Sequence, residues 1–221
     1  MQGPNSHSSH SSHSSHRAKH LSLTSRAAAA ALLFFLSPAL FAQQAQQTQQ
    51  IPPPSQLALC VTCHGPQGNS QIPQIPSLAG QPQVFLENQM VLIREGLRDI
   101  AQMKGLFDKM NDAELVVLAR YFADQTPAAT AVAANPVNAQ SVQRGKALSQ
   151  KLLCGTCHLP DYSGRAQIPR LAGQHEAFLL SSMKQFRDHA GAGRDTIMSA
   201  TLFGVKDGEL ADLAHYFAHF K

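Results

Sequence analysis

Nowhere does the 221-residue chain hold the roughly 20 consecutive apolar residues that a membrane-spanning helix needs; the run from Ala27 to Leu36 stops at 10. Period-two alternation of apolar and polar residues is also missing, which argues against a β-sheet fold and against the βαβ surroundings of a thioredoxin-like dithiol. No stripe of Lys and Arg interleaved with aromatics occurs, so nucleic acid is not an expected partner. Cysteine is scarce as well. The chain has four, and all fall in two short clusters.

Those clusters are Cys60-Val61-Thr62-Cys63-His64 and Cys154-Gly155-Thr156-Cys157-His158, 94 positions apart. Two thiols three residues apart on one helical turn can both reach the vinyl groups of a haem, while the adjacent histidine places its imidazole under the iron. This is the attachment pattern of c-type haem. The histidines discriminate: with six in the 179 residues after position 42, the chance that both pairs are followed by one is roughly one in a thousand. A four-cysteine zinc site would leave both histidines unexplained and join pairs too distant for a zinc ribbon. Two structural disulfides would suit an exported chain but again make the histidines accidental.

Arg17, Lys19 and Arg26 precede the apolar run, and Ser37-Pro38 and Leu40-Phe41-Ala42 follow it. Basic, apolar, then small is the order of a secretory signal. Residues 1–42 are therefore read as a cleavable leader with a mature start at Gln43; an uncleaved membrane anchor is the alternative. Three of the 18 basic residues and none of the 14 acidic ones lie in the leader, leaving 15 against 14, a net +1. The Ser-His run containing His7, His10, His13 and His16 reads as a cloning tag or mis-assigned start rather than a metal-binding tail.

Residues 43–54, Gln- and then Pro-rich, read as a mobile tether. A tandem repeat follows. Ile75-Pro76 and Leu78-Ala79-Gly80-Gln81 recur 93 positions later as Ile168-Pro169 and Leu171-Ala172-Gly173-Gln174; Tyr121-Phe122-Ala123 recurs 95 later as Tyr216-Phe217-Ala218. Such small drift indicates one domain duplicated: 55–124 and 139–221, joined by a semi-extended linker over 125–138 with Pro127 and Pro136. Apolar spacing predicts helices over 83–97 and 176–189, another over 141–153 ending at the second pentad, and a last helix in each repeat. Asn111 with Glu114 resembles a capping box, and Asp207-Gly208-Glu209 is a weaker counterpart. The fold class is all-α.

The ligand opposite the histidine separates a carrier from an enzyme. Met103 and Met198 occupy matched positions, each 11 residues before Glu114 or Glu209, and both are expected in loops. Met90 and Met183 also match but sit on apolar helix faces, where core packing is expected. Met110 has no methionine counterpart and is the alternative to Met103. His175, His189, His215 and His219 have no histidine equivalents in the first repeat and read as surface or satisfied histidines. Loops holding Pro76 and Pro169 are expected to offer a carbonyl to the Nδ1 hydrogens of His64 and His158.

The two pentads, Gly65 through Gly68-Asn69-Ser70, the Pro-x-Leu-Ala-Gly-Gln loops and the Met followed by an acidic-capped helix ending Tyr-Phe-Ala together closely resemble the cytochrome c4 family, cytochrome c553-like dihaem class I cytochromes c, over roughly residues 55–220. The resemblance implies two tandem class I cytochrome c domains about a pseudo-twofold and two covalent haem c groups. It implies thioether bonds at Cys60, Cys63, Cys154 and Cys157, with His64, Met103, His158 and Met198 as iron ligands. It further implies no catalytic activity and a periplasmic single-electron carrier between a quinol-oxidising, cytochrome bc1-type complex and a terminal oxidase; peripheral membrane association is compatible with that role. The alternative is the cytochrome subunit or dedicated acceptor of a periplasmic dehydrogenase, with a dihaem peroxidase below it. Two departures stand out: Leu159 replaces the glycine matching Gly65, suggesting a different turn, and the flanks of Met103 do not repeat those of Met198.

Overall fold

The computed structural model describes residues 54–128, 136–189, 191 and 195–220. The leader, the tether through residue 53 and the middle of the linker, 129–135, lie outside them. Among the described residues the regular structure is helical: α1 Pro54–His64, α2 Gln83–Arg94, α3 Asp112–Ala123, α4 Ala139–Lys151, α5 Cys154–His158, α6 Glu176–Asp188, α7 Thr196–Leu202 and α8 Asp207–Ala218. The one extended pairing among them is a single bridge between Arg165 and Ile168. No described helix is long and apolar enough to cross a membrane.

The helix ends follow local chemistry. Asn111 accepts the Glu114 N–H at 3.1 Å while Glu114 accepts the Asn111 N–H at 2.8 Å, the full reciprocal box. At α8 only half forms: Glu209 accepts the Lys206 N–H at 2.9 Å, and a lysine side chain has nothing to accept with. The expected helix over 141–153 instead spans Ala139–Lys151. Asn138 starts it by accepting the N–H groups of Gln140 and Ser141, and Leu153, left-handed at φ 56°, separates it from the second pentad.

Each repeat keeps its own core. In the second, Leu179, Met183, Leu202, Leu210, Leu213, Ala214 and Phe217 pack with Tyr162 and Tyr216. The cluster in the first is smaller, with Leu86, Ala119 and Phe122 buried and Met90, Phe85 and Leu78 against them. Helices α4 and α8 cross closely at Gly145, where a Cβ would stand 2.2 Å from the Asp212 carbonyl oxygen and 2.6 Å from Tyr216 Cβ. Arg144 closes the crossing with a two-pronged pair to Asp212 at 2.6 and 2.8 Å, and the Ser141 hydroxyl adds a bond to the same carboxylate.

A second duplicated device was not visible in the sequence pattern. Arg94, ending α2, reaches the Met110 carbonyl at 3.1 Å and Asp112 at 2.9 Å. Arg187 near the end of α6 does the same to Val205 at 2.8 Å and Asp207 at 2.7 Å. Each arginine therefore ties its helix to the N-terminus of the last helix in its repeat.

The repeats meet through a reciprocal pair of glutamines. Gln174 accepts the Ser77 N–H at 2.9 Å and donates to the Ser77 carbonyl at 2.9 Å. Gln81 accepts the Arg170 N–H at 2.9 Å and donates to the Arg170 carbonyl at 3.0 Å. Gln81 matches Gln174 and Ser77 matches Arg170 in the repeat, so equivalent residues exchange equivalent bonds, as a local twofold requires. Both glutamines are buried. Two further bonds lack mirror images: His175 Nε2–H to the Ser70 carbonyl at 2.9 Å and the Phe178 N–H to the Pro73 carbonyl at 3.1 Å.

Candidate haem centres

In α1 the three-residue spacing brings Cys60 and Cys63 to one helical face ahead of His64. Helix α5 is the second pentad itself. All four thiols are free, with Cys60 and Cys154 half-buried and Cys63 and Cys157 exposed. Before attachment, burial pushes the Cys60 and Cys154 thiols up, favouring S–H over thiolate.

His64 and His158 are buried, and each Nδ1 lies 2.8 Å from a proline carbonyl, Pro76 and Pro169 respectively. A carbonyl only accepts, so Nδ1 carries the hydrogen in both rings and the free lone pair belongs to Nε2. Burial lowers both imidazole pKa values, partly opposed by the carbonyl bond. The rings are thus neutral, oriented and tautomerically fixed, the state in which a histidine ligates a metal. The donor set fits a covalently attached haem in both repeats, and the expected carbonyl partners are the ones found.

The methionines depart from expectation in one respect. Met198 is on α7 rather than in a loop, because Asp195 caps that helix by accepting the N–H groups of Ile197 and Met198 at 2.9 and 3.0 Å. The equivalent of Asp195 is Ile100, which cannot cap, and there only the short 3₁₀ turn Ala101–Met103 forms. Both methionines are half-buried. Met110 occupies the position of Val205, each offering its carbonyl to the clamping arginine. Met183 is buried in the second core and Met90 packs on the first.

Leu159 is the second correction. The turn after His158 keeps the backbone of its glycine counterpart: Leu159 has φ 69° and ψ 158°, Gly65 φ 77° and ψ 168°. That region is essentially reserved for glycine, and a side chain there costs about 1–3 kcal/mol. Leu159→Gly is expected to stabilise the holoprotein by about 1 kcal/mol, since the added unfolded-state freedom takes back part of the relief. Denaturant titration should show a higher midpoint at unchanged slope; an unchanged or lower midpoint contradicts the strain.

Among the other described histidines, His175, His215 and His219 make structural hydrogen bonds and His189 is exposed. His175 is spent on the cross-repeat bond. His215 donates Nδ1–H to Glu176 at 3.0 Å and accepts the Asn138 N–H at Nε2, 2.9 Å away. Glu176, His215 and His219 lie close enough to suggest a metal cluster, but both nitrogens of His215 are already engaged.

Helical repeats carrying a paired-thiol and oriented-histidine site apiece define a dihaem c-type cytochrome. Residues 142–221 match the family model described as "Cytochrome c". Cytochrome c4 of Azotobacter vinelandii is 33% identical over 174 residues, covering 72% of this chain and 83% of that protein. The crystal structure of reduced recombinant cytochrome c4 from Pseudomonas stutzeri superposes with a TM-score of 0.67 at 27% identity, covering 76% of this chain and 96% of that one. The chain belongs to the cytochrome c4 family, and its chemistry is electron transfer through two haem c groups. More distantly, a thiosulfate dehydrogenase electron acceptor from Thiomonas intermedia is 26% identical, covering 75% of this chain and 80% of that protein.

Proposed function

We propose that the chain is a periplasmic carrier moving single electrons from a quinol-oxidising complex of the cytochrome bc1 type to a terminal oxidase, and that it has no catalytic activity of its own. Residues 55–124 and 139–221 each hold one haem, linked through Cys60 and Cys63 in the first and Cys154 and Cys157 in the second. His64 and Met103 close the first iron, His158 and Met198 the second. The observation that carries this reading is duplication of the whole donor set: a carbonyl-held histidine and a half-buried methionine at the matched place in both repeats. A soft thioether opposite imidazole favours ferrous iron, raises the potential and leaves no open position, so electrons pass with little rearrangement.

Optical spectroscopy tests it. The oxidised protein is expected to show the weak near-infrared methionine-to-iron band equivalent to two haems, and the reduced protein to bind no carbon monoxide. Met103→Ala should halve the band and open one site, while Met110→Ala leaves both closed. A high-spin signal or ready ligand binding in the wild type would point to an enzyme of the peroxidase kind.

A second reading is favoured by the likeness to the Thiomonas thiosulfate dehydrogenase electron acceptor: the chain serves as cytochrome subunit or dedicated acceptor of a periplasmic dehydrogenase. Reduction rates with purified candidate dehydrogenases, against those with the quinol-oxidising complex, separate the two.

A further inference from the structure

We infer that Gln174 and Gln81 are crossed positioning residues: each sets the strength of the axial histidine in the opposite repeat, so that either half of the molecule tunes the other's haem. The inference rests on His64 and His158 being the axial ligands.

The geometry turns on a shared peptide group. The Pro76 carbonyl that accepts from His64 Nδ1 at 2.8 Å and the Ser77 N–H that donates to Gln174 Oε1 at 2.9 Å belong to the same amide. Likewise the Pro169 carbonyl that accepts from His158 at 2.8 Å shares its amide with the Arg170 N–H that donates to Gln81 at 2.9 Å. Each arrangement is an unbroken relay: imidazole N–H to carbonyl, across the peptide, N–H to glutamine oxygen. An amide whose N–H is engaged has a more negative carbonyl oxygen, because successive hydrogen bonds polarise one another. A better acceptor at Nδ1 makes the imidazole more electron-rich at Nε2, which favours ferric iron and lowers the reduction potential.

Glutamine is the side chain that suits this place. Its amide accepts the N–H and donates to the C=O of one residue, which holds Ser77 or Arg170 by both backbone groups. Burial of both glutamines keeps water from substituting.

The relays are not equal. Gln174 Oε1 also accepts the His175 N–H at 3.0 Å, dividing its acceptor strength. Gln81 is followed by Pro82, which has no N–H, so among the described residues the oxygen of Gln81 serves Arg170 alone. The loop 70–77, in contrast, is held additionally by His175 and Phe178. Electronic tuning therefore ranks Gln81 above Gln174; a purely mechanical role gives the same order, because the loop 70–77 keeps other supports, so the two roles are separated by which haem shifts and by the opposite sign of the glutamate variants.

The experiment uses the holoprotein and potentiometric titration, with each haem assigned by the paramagnetically shifted resonances of its axial-histidine ring. Gln81→Leu is expected to raise the potential of the His158 haem, lowering its ferric-to-ferrous ratio at fixed applied potential about threefold, with the His64 haem much less affected. Gln174→Leu should shift the His64 haem in the same sense by less. Gln81→Glu and Gln174→Glu keep a stronger acceptor facing the N–H and should move the same haems the other way; they serve where the leucine variants do not assemble. A lower thermal midpoint with both potentials unchanged, a shift in the variant's own repeat, or equal shifts at both haems would overturn the inference. Failure of the ligand assignment itself would look different, as axial resonances in the wild type that do not belong to His64 and His158.

Discussion

Alanine at Cys154 and Cys157 is expected to halve the haem content and to leave the second repeat without fixed side-chain packing. Cys154 packs against the second core, so the attached macrocycle would adjoin that core and lose water from its apolar faces. At about 25 cal/mol per Å², each 100 Å² so buried contributes roughly 2.5 kcal/mol gross. A repeat of about 80 residues has only a few kcal/mol of core stabilisation to lose. Native-like near-UV dichroism from the second half, with one haem missing, would refute this. The parallel change at Cys60 and Cys63 should be worse, because among the described residues the first repeat buries seven apolar side chains against twelve in the second. Greater residual structure in that variant than in the Cys154/Cys157 variant would contradict the ordering.

Gly145→Ala sets two effects against each other. Alanine in a helix interior gains about 1 kcal/mol over glycine by propensity alone, so an open site would be stabilised. Here the new Cβ would lie 2.2 Å from a backbone oxygen and 2.6 Å from another Cβ, neither the loose end of a side chain. Helices α4 and α8 must separate, and a net loss of about 2 kcal/mol or more is expected, with Gly145→Val costing further. Gly208, inside α8 with open space around its Cβ position, is the control: Gly208→Ala should stabilise by up to about 1 kcal/mol. Denaturant midpoints of the two variants moving in the same direction would refute the close-crossing account.

The parts of the molecule open to sequence reasoning were those where a residue type announces its chemistry. Paired cysteines before a histidine and Asn111 three residues ahead of Glu114 have few other uses. The proline loops followed from asking where a ligating imidazole's second nitrogen must bond. What stayed hidden depended on partners distant along the chain. Gln81 and Gln174 were plain in the repeat as letters, but that each grips the opposite loop is a fact of docking. The clamps by Arg94 and Arg187 connect helix ends 16 to 20 residues away. The helix at Met198 was missed for a local reason, the carboxylate of Asp195 at a place where the first repeat has isoleucine. Leu159 misled in the other direction: a non-glycine side chain suggested a new turn, and the surrounding bonds held the old one. Tyr162 does likewise, taking φ 53° where Gly68 stands in the first repeat, and its ring fills the core while its hydroxyl meets Ser149 at 2.8 Å.

Asn69 grips the beginning of the linker, donating to the Thr126 carbonyl at 3.2 Å and accepting the Ala128 N–H at 2.7 Å. The covalent leash between the repeats is therefore shorter than its composition implies: from Ala128 to Pro136 it can reach about 28 Å at full extension. Such a leash keeps the local concentration of one repeat around the other in the millimolar range. A contact surface closed by a handful of hydrogen bonds can then remain shut nearly all the time, although it would be far too weak to pair two separate chains. Cutting the backbone between those residues would turn a permanent association into one that dilution dissolves.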